Sequence, residues 1–174
     1  MGIDADYNLD LQIKLSTHYP HKPLKKQRAL VTGANSGIGE AVARYLSAAG
    51  ASVAINYVSN EAATAKIVEE INCAGGQAIG LHADVSQEEQ VVEMFSQMKR
   101  HFGTIDILVA NAGLQKDSKF TEMTVQQWNT VIGVNLTGQF LCVREAIKEF
   151  LRRGVVQEIS LAAAAKCAST RQAS

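Results

Sequence analysis

The feature that most constrains this chain is a glycine-rich turn between a short apolar run and a helical pattern. The run is residues 29–31, and glycines follow at positions 33, 37 and 39 in a Gly-x-x-x-Gly-x-Gly spacing. Glycines allow a sharp turn and leave room for a phosphate group to approach the backbone. The helix start beyond the turn offers unpaired N–H groups and a partial positive charge. The sequence therefore predicts a phosphate-binding strand, turn and helix.

Charge and composition narrow the class of ligand. The 174 residues suffice for one domain with a real core, and 17 Lys and Arg balance 17 Asp and Glu. This balance gives no reason to expect binding to nucleic acid or to an anionic membrane. No signal peptide is evident, and no apolar run approaches the roughly 18 residues of a membrane span. We expect a cytoplasmic protein that binds a small molecule.

The cysteines support the same compartment. Cys73, Cys142 and Cys167 are an odd number and lack the spacing of metal ligands. We interpret them as free thiols in a reducing environment. His82 and His101 have no second ligand at a suitable spacing, so no metal site is predicted.

Strand and helix patterns alternate after the turn. The predicted strands are residues 29–31, 52–57, 77–83 and 105–110, and the predicted helices begin near residues 38, 60, 88, 125 and 134. This order predicts an α/β fold, a Rossmann-like, doubly wound parallel sheet with strand order 3-2-1-4. The fourth strand is almost continuously apolar, which is typical of a strand covered on both faces.

Two helix starts and one helix face can be predicted in detail. Residues 86–89, Ser-Gln-Glu-Glu, have the pattern of a capping box, and Thr124 can cap the helix that follows it. In the first helix, Ile38, Val42, Tyr45 and Ala49 recur at helical spacing and are expected to face the sheet.

The glycine spacing, with Asn111-Ala112-Gly113 and Val134-Asn135 downstream, resembles the short-chain dehydrogenase/reductase family over residues 28 to about 160. The resemblance implies NAD(P) as coenzyme. Asp84 would bond the adenine amino group, and Val85 would cover the ring. The cofactor-binding residues we infer are Gly33, Asn35, Ser36, Gly37, Ile38, Gly39, Tyr57, Ser59, Asp84, Val85, Asn111, Ala112 and Gly113.

Two positions in these motifs leave alternatives open. The family's Asn-Asn-Ala-Gly element has Ala110 in place of its first asparagine, which removes one polar brace. Asn135 matches the asparagine that in the family holds a water of the catalytic proton relay, so the resemblance implies a catalytic role. The structural alternative is that Asn135 only braces a kink in the helix.

The end of the second strand bears on the choice of coenzyme. An acidic residue there would bind the ribose hydroxyls of NAD, and an arginine would attract the 2′-phosphate of NADP. Residues 56–60 read Asn-Tyr-Val-Ser-Asn, with neither determinant. We expect weak discrimination that leans to NADP through the neutral donors Ser59 and Asn60.

The resemblance is closest to sugar dehydrogenases of the glucose 1-dehydrogenase type, which implies hydride transfer between NAD(P) and a small alcohol, ketone or sugar. A second hypothesis is a non-catalytic nucleotide-binding or interaction module derived from that family. A third, a methyltransferase-like user of another nucleotide, is disfavoured by the glycine spacing followed by Asn-Ala-Gly.

The family's catalytic Tyr-x-x-x-Lys pair does not occur in this sequence. Its four tyrosines, at positions 7, 19, 45 and 57, are followed four residues later by Leu, Pro, Ala and Glu. We predict an N-terminal arm at 1–27, a coenzyme-binding domain at 28–160 and an irregular or helical tail at 161–174. The sheet is expected to be incomplete on its C-terminal side, through truncation, a frameshift or a naturally short chain, and its open edge predicts self-association or a homo-oligomer.

Overall fold

A computed structural model describes residues 22–154 and shows a four-stranded parallel sheet with helices on both faces. The elements in chain order are β1 (Arg28–Val31), α1 (Gly37–Ala48), β2 (Ser52–Tyr57), α2 (Glu61–Cys73), β3 (Gln77–His82), α3 (Glu88–Phe102), β4 (Ile107–Val109), α4 (Val125–Ile132), a π-helical segment (Gly133–Gly138) and α5 (Gln139–Arg152). The strand order is β3-β2-β1-β4, which confirms the predicted Rossmann-like architecture.

The alternation of side chains along the strands divides the core into two layers. Leu30 and Ala54 belong to one buried cluster, which also contains Met94 and Leu141 from α3 and α5. Their neighbours along the strands belong to the other cluster, with α1 and α2; this second set includes Ala29, Val31, Val53, Ile55, Ala43 and Ile67. Successive residues of a strand point to opposite faces, so both faces of the sheet are covered.

The predicted inner face of α1 is correct at two of its four residues. Ala49 is 2% exposed and Val42 packs against the core, whereas Ile38 is 77% exposed and Tyr45 is 40% exposed. The rest of the buried face consists of Gly39, Ala43 and Ser47, small residues that allow the helix to lie close to the sheet.

The two predicted helix caps have different outcomes. Thr124 forms a capping box with Gln127: its hydroxyl accepts a bond from the Gln127 N–H at 3.1 Å, and its own N–H donates to Gln127 Oε1 at 2.8 Å. The capping box at residues 86–89 is wrong. The helix begins at Glu88, and Ser86 instead donates its hydroxyl to Asp84 Oδ1 at 2.8 Å.

Further observations concern strand β4 and the two ends of the described region. The β4 residues are each only half-buried, so β4 is less covered than its apolar sequence predicted. Residues 23–26 form a turn whose Leu24 N–H donates to the Ala49 carbonyl at 2.9 Å. Residues 1–21 of the predicted arm, residues 155–160 of the predicted domain and the whole predicted tail lie outside the described residues. Within the described region, no helix is long and apolar enough to cross a membrane.

Candidate nucleotide-binding site

A cavity of about 1230 Å³ opens where the carboxyl ends of the strands meet. This edge is where open α/β sheets bind ligands. Twelve of the predicted cofactor-binding residues line the cavity: Gly33, Asn35, Ser36, Gly37, Ile38, Gly39, Ser59, Asp84, Val85, Asn111, Ala112 and Gly113. Tyr57 and Asn135 are not part of its lining.

The three glycines of the turn have different reasons to lack a side chain. A β-carbon on Gly39 would lie 2.5 Å from the Gly33 carbonyl oxygen and 2.6 Å from Nδ2 of Asn111, so this position has no room. Gly33 has a φ of +60°, and a β-carbon there would lie 2.9 Å from the Ala112 Cα. Gly37 has a φ of +57° and would meet nothing within 4 Å. Gly37 therefore leaves open space within the cavity rather than room for another part of the protein.

Thr32 joins the glycine turn to the end of β4. It is 1% exposed, and its hydroxyl oxygen accepts bonds from the N–H groups of Asn111 and Ala112, both at 2.9 Å. The Asn111 amide returns the contact by donating to the carbonyls of Thr32 and Gly33, at 2.9 and 3.1 Å. This is the bracing expected of an asparagine at a strand end. The two loops that flank the cavity are thus fixed to each other.

The side of the cavity near the end of β2 is formed by Asn56, Val58 and Ser59 and carries no charged side chain. Asn35 donates from Nδ2 to the Ser59 carbonyl at 2.8 Å, which holds the loop after β2 against the glycine turn. Ser36 is the N-cap residue of α1, but its side chain makes no capping bond. Ser36 and the first residues of α1 line the cavity, so the first N–H groups of the helix lie at the cavity without a side-chain cap.

Asp84 is held in place at the end of β3. Its Oδ1 atom accepts bonds from the Ser86 N–H at 2.9 Å and the Ser86 hydroxyl at 2.8 Å, and its N–H donates to Gln90 Oε1 at 2.8 Å. Neither carboxylate bond involves Oδ2. Among the described residues that line the cavity, Asp84 carries the only charge.

Val85 is positioned by the helix beyond it. A β-carbon on Gly138 would lie 2.7 Å from Val85 Cγ2 and 3.1 Å from the Val85 carbonyl oxygen. Glycine at this point lets the π-helical segment contact the Val85 backbone. Segments of this kind are frequent at functional sites.

The amide of the exposed residue Asn135 makes two hydrogen bonds to the backbone of Leu114. Its Oδ1 accepts from the Leu114 N–H, and its Nδ2 donates to the Leu114 carbonyl, both at 2.9 Å. Gln139 adds a bond from Nε2 to the Ala112 carbonyl at 3.1 Å. These contacts hold residues 112–114 against the helix. The catalytic role of Asn135 and the alternative that it braces a helix kink both stay predictions.

Tyr57 lies at the end of β2 but turns toward β3. Its ring packs edge-on against His82, with centroids 5.4 Å apart, and His82 Nε2 lies 3.1 Å from the Val58 carbonyl oxygen. Burial, followed by the charge of Glu61 and a hydrogen bond to it, raises the pKa of Tyr57. The structure thus places Tyr57 beside the cavity rather than in its wall, and its cofactor role stays a prediction.

Sequence reasoning assigned no role to Thr32 or Asn56, although both are buried polar residues that shape the site. Asn56 was the available signal, because asparagine is depleted in strands and β2 is otherwise mostly apolar. A buried amide needs partners for both of its groups, so its presence there indicates specific hydrogen bonds.

The cavity suits a dinucleotide coenzyme in its chemistry. The open space at Gly37 and the N-terminus of α1 suit a pyrophosphate. Asp84 adds a carboxylate acceptor to the cavity wall, and Val85 also lines the cavity although it is only 3% exposed. No cluster of three or more potential metal ligands occurs in the part of the chain that the structure describes.

Curated proteins with similar sequences match this chain over about half of their own length. The chain is 38% identical over 125 residues to the 3-oxoacyl-(acyl-carrier-protein) reductase FabG of Staphylococcus epidermidis, covering 72% of this chain and 51% of the relative. A protein of the same enzymatic name from Synechocystis is 40% identical over 130 residues, covering 75% and 53%. The chain thus spans about half the length of these curated relatives.

Solved structures agree in fold. A short-chain type dehydrogenase/reductase from Mycobacterium marinum is 35% identical with a TM-score of 0.72, covering 76% of this chain and 53% of that one. A short-chain dehydrogenase from Burkholderia cenocepacia in complex with NADP is 32% identical with a TM-score of 0.71, covering 73% and 52%. The family model for short chain dehydrogenases matches residues 27–170. The chain therefore belongs to the short-chain dehydrogenase family.

Proposed function

We propose that this chain is the coenzyme-binding part of an NADP(H)-dependent oxidoreductase that interconverts a hydroxyl and a carbonyl group. The observation that carries the proposal is the cavity built from the glycine turn, Asp84 and the Asn111 loop. Hydrogen bonds fix the Asn111 loop to the turn, and the Asn56 amide joins the turn to Ala83, the residue before Asp84. The NADP in the Burkholderia cenocepacia structure supports the choice of coenzyme.

The residues present would hold the coenzyme at two places. The α1 N-terminus and the Ser36 hydroxyl would bind the pyrophosphate, and Gly37 would admit it to the backbone. Asp84 would accept a bond from the adenine amino group through its free Oδ2 atom. When bound, the coenzyme supplies or receives the hydride.

Selectivity for NADPH over NADH should be modest. The loop after β2 presents Ser59 near the position expected for the adenosine ribose, with no charged side chain in that part of the cavity wall. A 2′-phosphate would meet neutral donors, which neither repel it nor attract it strongly. We therefore expect NADPH to bind somewhat tighter than NADH, with Ser59 as a neutral donor to the 2′-phosphate.

The 174-residue polypeptide should bind coenzyme without turning substrate over at an ordinary rate. The sequence contains no Tyr-x-x-x-Lys pair, and Tyr57, with its raised pKa, is a poor base at neutral pH. General acid–base catalysis typically contributes about 10²–10⁴-fold. The same observation favours the second candidate, a nucleotide-binding module without catalytic activity.

Titration of the protein with NADPH, NADH and S-adenosylmethionine tests the binding part of the proposal. NADPH should bind tightest and S-adenosylmethionine should not bind. A preference for NADH of more than about tenfold, or about 1.4 kcal/mol, would contradict the proposed selectivity. Replacement Ser59→Asp should weaken NADPH binding much more than NADH binding, because it places a carboxylate near the 2′-phosphate. The control Ser118→Asp adds the same charge outside the cavity wall and should change neither the NADPH affinity nor the NADH affinity.

An assay at 340 nm tests the catalytic part. The substrates should include glucose, secondary alcohols, ketones and a 3-oxoacyl thioester, because the sequence resembles sugar dehydrogenases while two similar relatives are named 3-oxoacyl reductases. Coenzyme binding without turnover would agree both with the coenzyme-binding part of an oxidoreductase and with a non-catalytic nucleotide-binding module. A protein from a lysate that restores activity would favour the first of these two functions. Turnover by the 174-residue chain near 1 per second would refute the proposed lack of catalysis.

We also propose a cytoplasmic location and self-association. Cys73 and Cys142 are free thiols, as expected in a reducing compartment. Leu136 in the π-helical segment is 63% exposed and Phe140 in α5 is 59% exposed, and this apolar surface favours contact with a second copy.

A further inference from the structure

Asn56 occupies an unusual position at the end of β2. It is 1% exposed, in a strand whose neighbouring residues Ala54 and Ile55 are fully buried and apolar. Asparagine fits a strand poorly, and a buried amide without partners would be costly. Its side chain must therefore satisfy several hydrogen bonds inside the protein.

The Asn56 amide joins three strand ends. Its Oδ1 accepts a bond from the Gly33 N–H at 3.2 Å, in the glycine turn after β1. Its Nδ2 donates to the carbonyls of Leu81 and Ala83, at 3.2 and 2.9 Å, at the end of β3. Its own carbonyl also accepts a bond from the Ala34 N–H at 2.9 Å.

These contacts connect the two parts of the cavity that a dinucleotide would span. Gly33 begins the phosphate-binding turn, and Ala83 immediately precedes Asp84. The Gly33 N–H needs an acceptor, and the Leu81 and Ala83 carbonyls each need a donor, all from a single small side chain. A neutral amide supplies both kinds of group, whereas an aspartate lacks donors and a leucine lacks all of them.

We propose that Asn56 is a positioning residue that sets the separation between the phosphate-binding turn and the adenine end of the coenzyme site, an inference that rests on the proposed function. Asn56 borders the cavity but is only 1% exposed, and its amide is bonded to Gly33, Leu81 and Ala83, so it acts through them. Coenzyme affinity therefore depends on Asn56 through the geometry of the turn.

Asn72 is more exposed than Asn56 but provides a control for the loss of side-chain bonds to the backbone. It is also an asparagine whose amide bonds to backbone: Oδ1 accepts from the Ala78 N–H at 2.7 Å, and Nδ2 donates to the Ala78 carbonyl at 3.3 Å. Asn72 lies outside the cavity lining. Asn56→Ala and Asn72→Ala thus each remove side-chain bonds to the backbone, and the bonds of Asn56 alone reach the site.

Both variants are compared with the unaltered chain at a temperature where circular dichroism shows all three folded. Amide hydrogen exchange is measured without coenzyme, and NADPH and ADP affinities are measured by titration. We expect exchange at Gly33 and Ala34 to accelerate at least tenfold in Asn56→Ala and to stay unchanged in Asn72→Ala. We also expect Asn56→Ala to weaken both ligands at least tenfold, with Asn72→Ala within twofold of the unaltered chain.

The two readouts separate failure of this inference from failure of the proposed function. Unchanged exchange at Gly33 in Asn56→Ala overturns the positioning role, whatever the ligands do. Faster exchange with unchanged affinity also overturns it, because the turn would then not control binding. If the unaltered chain binds neither ligand, the proposed function fails and the role of Asn56 in the coenzyme site fails with it, while the exchange data still report on the turn. If Asn56→Ala does not fold, the same measurements on Asn56→Ser, a smaller polar replacement, decide the question.

Discussion

The charged cluster at the end of α5 allows a quantitative prediction about stability. Glu149 is only 4% exposed, and it accepts two bonds from Arg152, both at 2.8 Å, and one from Thr104 at 2.7 Å. Hydrogen bonding to Arg152, supported by Thr104 and opposed by burial, lowers the pKa of Glu149 from 4.5 to about 2. The folded state therefore binds this proton less tightly than the unfolded state does.

The lowered pKa sets the size and the direction of the effect. At about 1.36 kcal/mol per pH unit, the difference corresponds to an upper limit of about 3 kcal/mol. Arg152 is 66% exposed, so water screens the pair and we expect about 1–2 kcal/mol. Because the folded pKa is lowered, this stabilisation is complete above about pH 4.5 and is lost as the pH falls toward about 2.

Urea unfolding of the unaltered chain and Glu149→Gln, followed by circular dichroism at pH 7, 5 and 3, tests the reasoning. Glutamine keeps the shape and an acceptor for Thr104 but loses the charge. The free energy of unfolding should fall by about 1–2 kcal/mol at pH 7, and the difference should shrink by pH 3. Glu93→Gln is the control, because the Glu93–Arg100 pair is exposed and should contribute little. A Glu149→Gln deficit that is equal at pH 7 and pH 3, or no larger than that of Glu93→Gln, would refute the reasoning.

Three further predictions concern the turn, a cap and assembly. Gly39→Ala should prevent stable folding, because its β-carbon would overlap fixed backbone atoms, whereas Gly37→Ala should fold at a cost of about 1–2 kcal/mol and lose NADPH binding. Thermal unfolding and NADPH titration of the two variants separate these outcomes. A stably folded Gly39→Ala variant would contradict the close contact at this position. Thr124→Ala should lower the free energy of unfolding by about 0.5–2 kcal/mol through loss of the capping box, and a change within error in urea unfolding would show that the cap is dispensable. The chain should self-associate at tens of micromolar, and Phe140→Glu should reduce this self-association in light scattering. A stable monomer of the unaltered chain would contradict the prediction.

Much of the fold followed from local patterns. The Gly-x-x-x-Gly-x-Gly spacing predicted the turn, and the alternation of strand and helix patterns predicted the strand order. The second strand matched residues 52–57, and Thr124 capped its helix as its spacing to Gln127 indicated. These features depend on residues close together in sequence, or on general rules of chain connection, so a sequence alone contains them.

Only the tertiary structure decided which partner each polar group of the site has. The Ser86 hydroxyl bonds to Asp84 instead of capping α3, and the Asn135 amide is engaged by Leu114. Asn56 bonds to residues 23 to 27 positions away, and Asn111 bonds to Thr32 from 79 positions away. Such bonds exist only where packing brings distant strand ends within about 3 Å, and the sequence pattern near each residue contains no measure of that distance.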